Sequence, residues 1–318
     1  MKELSFLKII AEQLTDNTLL GDDCAYLEEL GIFVTQDTLV EDVHFSLDTT
    51  SPYLLGRKLI SVNLSDLASA LSTPKYVTVS MSLPSSIDET FVAELYKGIN
   101  DVCKKFKVKV IGGDITSSDK VVLSVCAIGK KTSKFITSRS FANKADYIVT
   151  TGSYGSSSCG LYALMNFLYA DDELVQSHLN PIAKVKEAKK LSKLIKSNIA
   201  GMDTSDGLLD ALYKISQASG RSIQLNFDDV PVSEKVIDFC NINNIDYKDF
   251  VLWGGEDFEL IFTLPEEIYN SIDKNDFKLI GRVLNKSKTP VVHIKSKDFN
   301  KKITKDIFEK KSYNHFKG

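Results

Sequence analysis

Val251–Leu264 reads VLWGGEDFELIFTL. Phe258, Leu260, Ile261, Phe262 and Leu264 are apolar, and aromatic and branched residues favour a buried strand. Glu256 and Asp257 stand at the mouth of that strand, directly after Gly254 and Gly255. The juxtaposition recurs along the chain. Asp22 and Asp23 follow Gly21, Asp37 follows the apolar run 31–35, and Asp114 follows Gly112 and Gly113. Asp203 and Asp206 flank Thr204 and Ser205 between a strand pattern and a helix pattern. Asp66 shares a helix face with Asn63, three residues earlier.

Working outward, strand and helix patterns alternate over most of the chain. Leu4, Leu7, Ala11 and Leu14 fit an amphipathic first helix, and 54–71 a second, stopped by Ser72, Thr73 and Pro74. Val77, Val79, Met81 and Leu83 alternate as a half-buried strand should, and Phe91, Leu95, Ile99, Val102 and Phe106 keep helical spacing. Strands are expected at 108–111, 121–128, 147–150, 199–202, 223–225 and 279–283, and helices from Val185 to Ile195 and over 208–218. The polar, basic stretch 130–145 looks like a join. The chain is thus expected to be α/β, with an N-terminal domain over 1–137 and a C-terminal α/β domain over 138–318. The tail from Lys301 to Gly318 is basic and weakly patterned.

The length of 318 residues suits two domains of ordinary size. A hydrophobic content of 43% with 25% charged residues predicts a folded soluble protein. The net charge of −3 offers no basic surface for nucleic acid or anionic membrane. Five scattered cysteines without a Cys-x-x-Cys pair argue against a zinc ribbon or disulfide framework. Glu3 and Lys8 interrupt any signal-peptide core, and no apolar run approaches the roughly 20 residues needed to span a bilayer. A cytoplasmic location is expected.

Taken singly, an Asp after a strand is usually a turn former or N-cap. Taken together, several carboxylates in one cleft are costly unless cations compensate. Hard oxygen donors without a His or Cys cluster point to Mg²⁺, which commonly arrives with substrate phosphates. Glycines beside the carboxylates let backbone N–H groups approach an anion. The phosphate-loop motif and the protein-kinase motif set are both absent, and TGSYGS at 151–156 is not a dinucleotide fingerprint.

In order, the chain carries GDDCAYL (21–27), TQDTLVEDVHF (35–45), VNLSDLASALSTP (62–74), IGGDITS (111–117), TSR (137–139), DTSDGLLDAL (203–212) and GGEDFELIF (254–262). Together these resemble the thiamine-monophosphate kinase family, in the superfamily that also contains aminoimidazole ribonucleotide synthetase. The resemblance implies ATP-dependent phosphorylation of thiamine monophosphate. It also implies a homodimer built through the N-terminal domains, whose mixed sheets form a barrel. By motif, Asp23, Thr35, Gln36, Asp37, Asp66, Asp114, Asp203 and Asp206 correspond to ligands of several Mg²⁺ ions. Gly113, Asp114, Arg139 and Ser205 correspond to ATP contacts, with Asp114, Asp206 and Arg139 at the transferring group. His44, Glu256 and Tyr313 correspond to contacts with thiamine monophosphate.

Three positions depart from the family pattern. Gln36 replaces a usual Thr, so its backbone carbonyl would serve. ITSS at 115–118 lacks an Arg often found there, and Asp42 stands where Gly is common. An acceptor that is already an ionised phosphate needs no general base, so catalysis reduces to placement and charge neutralisation. A lone His is often structural, and an aromatic near a C-terminus often just packs the tail. Val43 and Phe45 would be core residues with His44 facing a cleft. The alternatives are a sister ATP-using enzyme of the same superfamily, such as an aminoimidazole ribonucleotide synthetase or a selenophosphate synthetase, or a non-catalytic nucleotide-binding scaffold.

Overall fold

The structure is a computed structural model and describes residues 2–316; the last two residues of the basic tail lie outside it. The first half of the chain builds one mixed sheet. Helix α1 (Lys2–Gln13) precedes strands β1 (Ala25–Leu27) and β2 (Ile32–Val40), then helix α2 (Pro52–Ser69), strand β3 (Thr73–Leu83) and helix α3 (Glu89–Phe106). Strands β4 (Lys109–Ser117) and β5 (Val122–Lys130) complete it. The strand order is β1-β2-β5-β3-β4, with β3 and β4 parallel and the other pairs antiparallel.

The second half builds a seven-stranded mixed sheet in the order β12-β11-β8-β10-β6-β9-β7. Its strands are β6 (Tyr147–Thr150), β7 (Gly201–Asp203), β8 (Arg221–Asn226), β9 (Leu260–Leu264), β10 (Lys278–Lys286), β11 (Val292–Lys295) and β12 (Asn300–Ile303). Its helices are α4 (Ser156–Met165), α5 (Asp172–Leu179), α6 (Val185–Leu191), α7 (Leu208–Ser219), α8 (Glu234–Ile242), α9 (Tyr247–Trp253), α10 (Glu266–Ser271) and α11 (Lys305–Lys311). Among the described residues, no helix is long and apolar enough to cross a membrane.

Helix α2 organises the site. Ser51 caps its first turn by accepting from Leu54 N–H, and Pro52 fits that turn because the missing N–H has no partner there anyway. Beyond Leu55 it is buried almost all round, its polar residues Lys58, Ser61, Asn63, Ser65 and Ser69 included. One apolar cluster joins Leu55, Leu59, Leu64 and Leu67 of α2 to Val77 and Leu123 of the first sheet and to Leu260 and Phe262 of the second. The helix therefore lies between the two sheets. Its polar residues face both.

Two expectations change. Val251, Leu252 and Trp253 belong to α9 rather than to a strand, and β9 begins only at Leu260. Asp246 caps α9, and the GGED turn separates helix from strand. The strand at 108–111 runs on through Gly112 and Gly113 to Ser117. A Cβ at Gly113 would lie 1.7 Å from the Val79 carbonyl oxygen, so the close approach of β4 to β3 requires glycine there.

Candidate active site

Ser65, Asp66 and Ser69 leave one face of α2 because three- and four-residue spacings share a face. Ser65 Oγ donates to Asp203 Oδ2 at 2.6 Å, and Ser69 Oγ to Asp23 Oδ2 at 2.6 Å. Thr35 Oγ1 donates to Asp66 Oδ2, also at 2.6 Å. The Asp203 N–H adds a bond to Asp23 Oδ2 at 3.1 Å. Buried Asn63 accepts from the Asp37 N–H at 3.1 Å, tying β2 to α2. One ligand atom from each of Asp23, Asp66 and Asp203 lies within 4.8 Å of the others. Gln36 is exposed, its side chain turned away from Thr35 and Asp37 by the strand alternation.

The electrostatics follow from the crowding. Burial, then the neighbouring Asp37, pushes the Asp66 carboxyl well above the usual range. Burial and Asp23 push Asp203 up to about 7, and burial and Asp23 push Asp37 up to about 6. A divalent cation among these oxygens reverses that penalty. Burial, then Asp66, also pushes the adjacent Cys24 thiol well up, which keeps a soft thiolate out of the site. The donor set is hard oxygen and fits Mg²⁺.

Arg139 closes one side. Its N–H donates to Asp22 Oδ1 at 2.7 Å, Nη1 to the Gly21 carbonyl at 3.0 Å, and Nη2 pairs with Asp23. Its buried Nε has no hydrogen-bond partner among the described residues. Ser205 Oγ donates to Asp203 Oδ1 at 3.1 Å. Asp206 pairs at 2.9 Å with Lys214, which is also 2.7 Å from Asp210.

The GGED turn lies on the DTSD loop. A Cβ at Gly255 would stand 2.7 Å from the Ser205 carbonyl oxygen, and the Glu256 N–H donates to that same oxygen at 2.7 Å. Glu256 adopts φ 63°, a left-handed conformation strained for a non-glycine residue. Its Oε2 sits 3.0 Å from Lys58 Nζ and 3.1 Å from His178 Nδ1. Burial opposes the charge, but Lys58 and His178 outweigh it and bring the Glu256 pKa to about 2. Lys58 Nζ also reaches the His44 carbonyl at 3.4 Å. The His44 ring is 5.1 Å from that of His315, which meets Tyr313 edge-on at 4.9 Å. His44, Glu256 and Tyr313 are thus linked through Lys58 and His315. Phe45 is buried as expected, but Val43 is 51% exposed, because the turn after β2 swings it outward.

Asp257 faces the other way. It accepts from the N–H groups of Gly155 at 2.8 Å and Ser157 at 3.1 Å, and so occupies the N-terminus of α4. The glycine-rich turn before α4 therefore serves the protein's own carboxylate. Asp42, the other departure in charge, pairs with Lys120 at 3.0 Å on the surface.

The family described as "AIR synthase related protein, N-terminal domain" matches residues 21–130. A thiamine-monophosphate kinase of Bacillus subtilis is 34% identical over 94% of this chain and 93% of its own length. The chain belongs to the thiamine-monophosphate kinase family. A second member, from Aquifex aeolicus, is 32% identical over 88% of this chain and 91% of its own. A solved family structure described as "AaThiL complexed with AMPPCP and TMP" superposes with a TM-score of 0.86 at 30% identity, covering 99% of this chain and 98% of that one.

Within this family member, α2 brings together Asp23, Thr35, Asp37, Asp66 and Asp203, with Arg139 and Ser205 beside them. Gly113 and Asp114 are not with them. They lie on exposed β4, and β5 and β3 intervene between β2 and β4. Three strand spacings amount to about 14 Å along the sheet. Ser65, Ser69, Lys58 and His178 escaped the motif reading. A lysine amid the apolar run LLGRKLISV was a signal for Lys58. His178 carried none.

Proposed function

We propose that the chain transfers the γ-phosphoryl group of ATP directly to thiamine monophosphate, giving thiamine diphosphate and ADP. The observation that carries this reading is the meeting of Asp23, Asp66 and Asp203 on α2, with the Glu256 wall fastened to the same DTSD loop. An acceptor phosphate oxygen bonds the γ-phosphorus as the bond to the β–γ bridging oxygen breaks, and ADP leaves with that electron pair. No proton needs to move, so the scarcity of a general base is no obstacle.

Asp23, Thr35, Asp37, Asp66, Asp203 and Asp206, with the Gln36 carbonyl, would hold Mg²⁺. Bound there, the metal neutralises the two phosphates that must approach each other. Arg139 and Ser205 contact ATP, Arg139 and Asp206 flank the transferring group, and His44, Glu256 and Tyr313 bind the thiamine end of the acceptor. The protein works in the cytoplasm, without a nucleic-acid or membrane partner.

It acts as a homodimer through an N-terminal domain spanning 1–137, while a domain spanning 138–318 completes each site. Strand β4 supports this assembly. It is an edge strand exposed along its whole length, with Ile111 55% and Ile115 70% exposed, and such an edge invites pairing. Pairing of β4 with the opposite edge strand, β1, of a second copy would place Gly113 and Asp114 two strands from that copy's β2, nearer to its acidic cluster than to their own.

Purified protein with ATP, Mg²⁺ and thiamine monophosphate should yield thiamine diphosphate and ADP in equal amounts. Turnover of an aminoimidazole precursor with none of thiamine monophosphate would overturn the reading.

A further inference from the structure

We propose that Lys58 and His178 are positioning residues that commit Glu256 Oε2 to the protein and leave Oε1 for an N–H donor or cationic ring of the acceptor. The proposal rests on the reading of Glu256 as a contact for thiamine monophosphate.

Lys58 is 1% exposed and sits mid-helix among Leu55, Leu59 and Val62 of α2. A buried ammonium is costly unless it is paired and hydrogen-bonded. Two oxygens meet it, Glu256 Oε2 at 3.0 Å and the His44 carbonyl at 3.4 Å. His178 of α5 places Nδ1 3.1 Å from the same Oε2. A carboxylate only accepts, so this nitrogen carries the proton; Ser157 Oγ lies 3.2 Å from it. Burial pushes the His178 pKa down and keeps the ring neutral. Lys58 therefore supplies the charge and His178 a neutral donor.

Helices α2 and α5 thus converge on one oxygen of a residue from a third segment. The Glu256 backbone is pinned independently by the Ser205 carbonyl. A buried ion pair can often be replaced by apolar groups without loss of stability, so the fold alone does not call for this one. A carboxylate fixed in charge and direction suits a partner that bears both N–H donors and positive charge. Thiamine has both, in its aminopyrimidine and its thiazolium ring. Fixing Glu256 beforehand spares the ordering that binding would otherwise require.

The test compares Lys58→Met, Lys58→Arg, Glu256→Gln and the double variant K58M/E256Q. Lys58→Met should raise KM for thiamine monophosphate about tenfold or more, since a buried charged acceptor loses its partner. KM for ATP should stay within about twofold, Lys58→Arg should recover part of the loss, and the double variant should be no worse than Glu256→Gln alone. Equal rises in both KM values, or additive losses in the double variant, would overturn the proposal. If Lys58→Met fails to fold, His178→Phe and the double variant, which lacks the orphaned charge, carry the same comparison. Carboxyl ¹³C NMR of the full chain gives a readout without substrate: the Glu256 titration midpoint should rise in Lys58→Met or in His178→Phe, and an unchanged midpoint refutes the clamp. A wild-type protein that ignores thiamine monophosphate would sink the functional reading while leaving this titration interpretable.

Discussion

Ser65 Oγ donates to Asp203 Oδ2 at 2.6 Å, joining α2 to the end of β7 between residues that are both buried. The hydroxyl is one of the few groups that lower the Asp203 pKa against burial and Asp23. Ser65→Ala should cost about 1–2 kcal/mol of stability, because it withdraws a donor from a buried carboxylate. On the proposed role of Asp203 as a metal ligand, it should also reduce kcat/KM about tenfold through loss of support behind that ligand. Urea unfolding and steady-state kinetics on the same preparation check both effects.

The acidic cluster predicts how stability changes with pH when no metal is bound. Asp37 and Asp203, with folded pKa values of about 6 and about 7, hold their protons more tightly than in the unfolded chain. Their contribution is full below an unfolded value near 3.8 and is lost as pH rises through about 7. His44 and His178, held neutral by burial, act in the opposite sense as pH falls below 6.5. The clean comparison is therefore with Asp203→Asn. In EDTA, the wild type should lose more Tm between pH 5 and 8 than the variant, by on the order of 5 °C. Added Mg²⁺ should restore more at pH 8 than at pH 5. Equal slopes for the two proteins would mean that Asp203 is not held protonated.

Glu256 and Asp257 are adjacent but face different tasks. Asp257→Ala should cost about 1–2 kcal/mol by uncapping α4, with both KM values little changed. Glu256→Ala should weaken use of thiamine monophosphate more than use of ATP. A stable Asp257→Ala protein that has lost activity would show that Asp257 meets a ligand.

Arg139 spans the Gly21 carbonyl and Asp23 with two nitrogens of one rigid fork. An ammonium cannot reproduce that geometry, so Arg139→Lys should lower kcat/KM for ATP about tenfold. A wild-type value in the lysine variant would leave Arg139 only a charge-balancing role.

The edge strand β4 gives the fifth prediction. Ile115→Lys should yield monomers in light scattering and little activity. Asp114→Asn and Asp203→Asn proteins, inactive alone, should regain activity when mixed and allowed to exchange subunits. If Asp114 acts within its own chain, no mixture recovers.

Much of this was legible in the residues themselves. Asp23, Asp37 and Asp203 announced themselves at strand ends, and α2 by its unbroken helical pattern. The extent of β4 was hidden because GGD has no strand propensity; pairing with β3 makes it a strand. Val251–Trp253 misled because a short apolar run does not reveal its period. Helices α5, α8 and α9 were missed because each spans at most nine residues and offers little periodicity. Lys58 and His178 acquire a partner only when α2 and α5 meet the GGED turn, a relation no local pattern encodes.

Helix α2 has its donors to Asp203 and Asp23 on one side and its apolar contacts with both sheets on the others. The carboxylate arrangement therefore exists only after both halves of the chain have packed onto it. Neither half alone can present the cluster to a cation, and a chain caught with one sheet formed should bind magnesium weakly. An ion held there would consequently act as a check on completed assembly, and its binding would couple the unfolding of the two sheets.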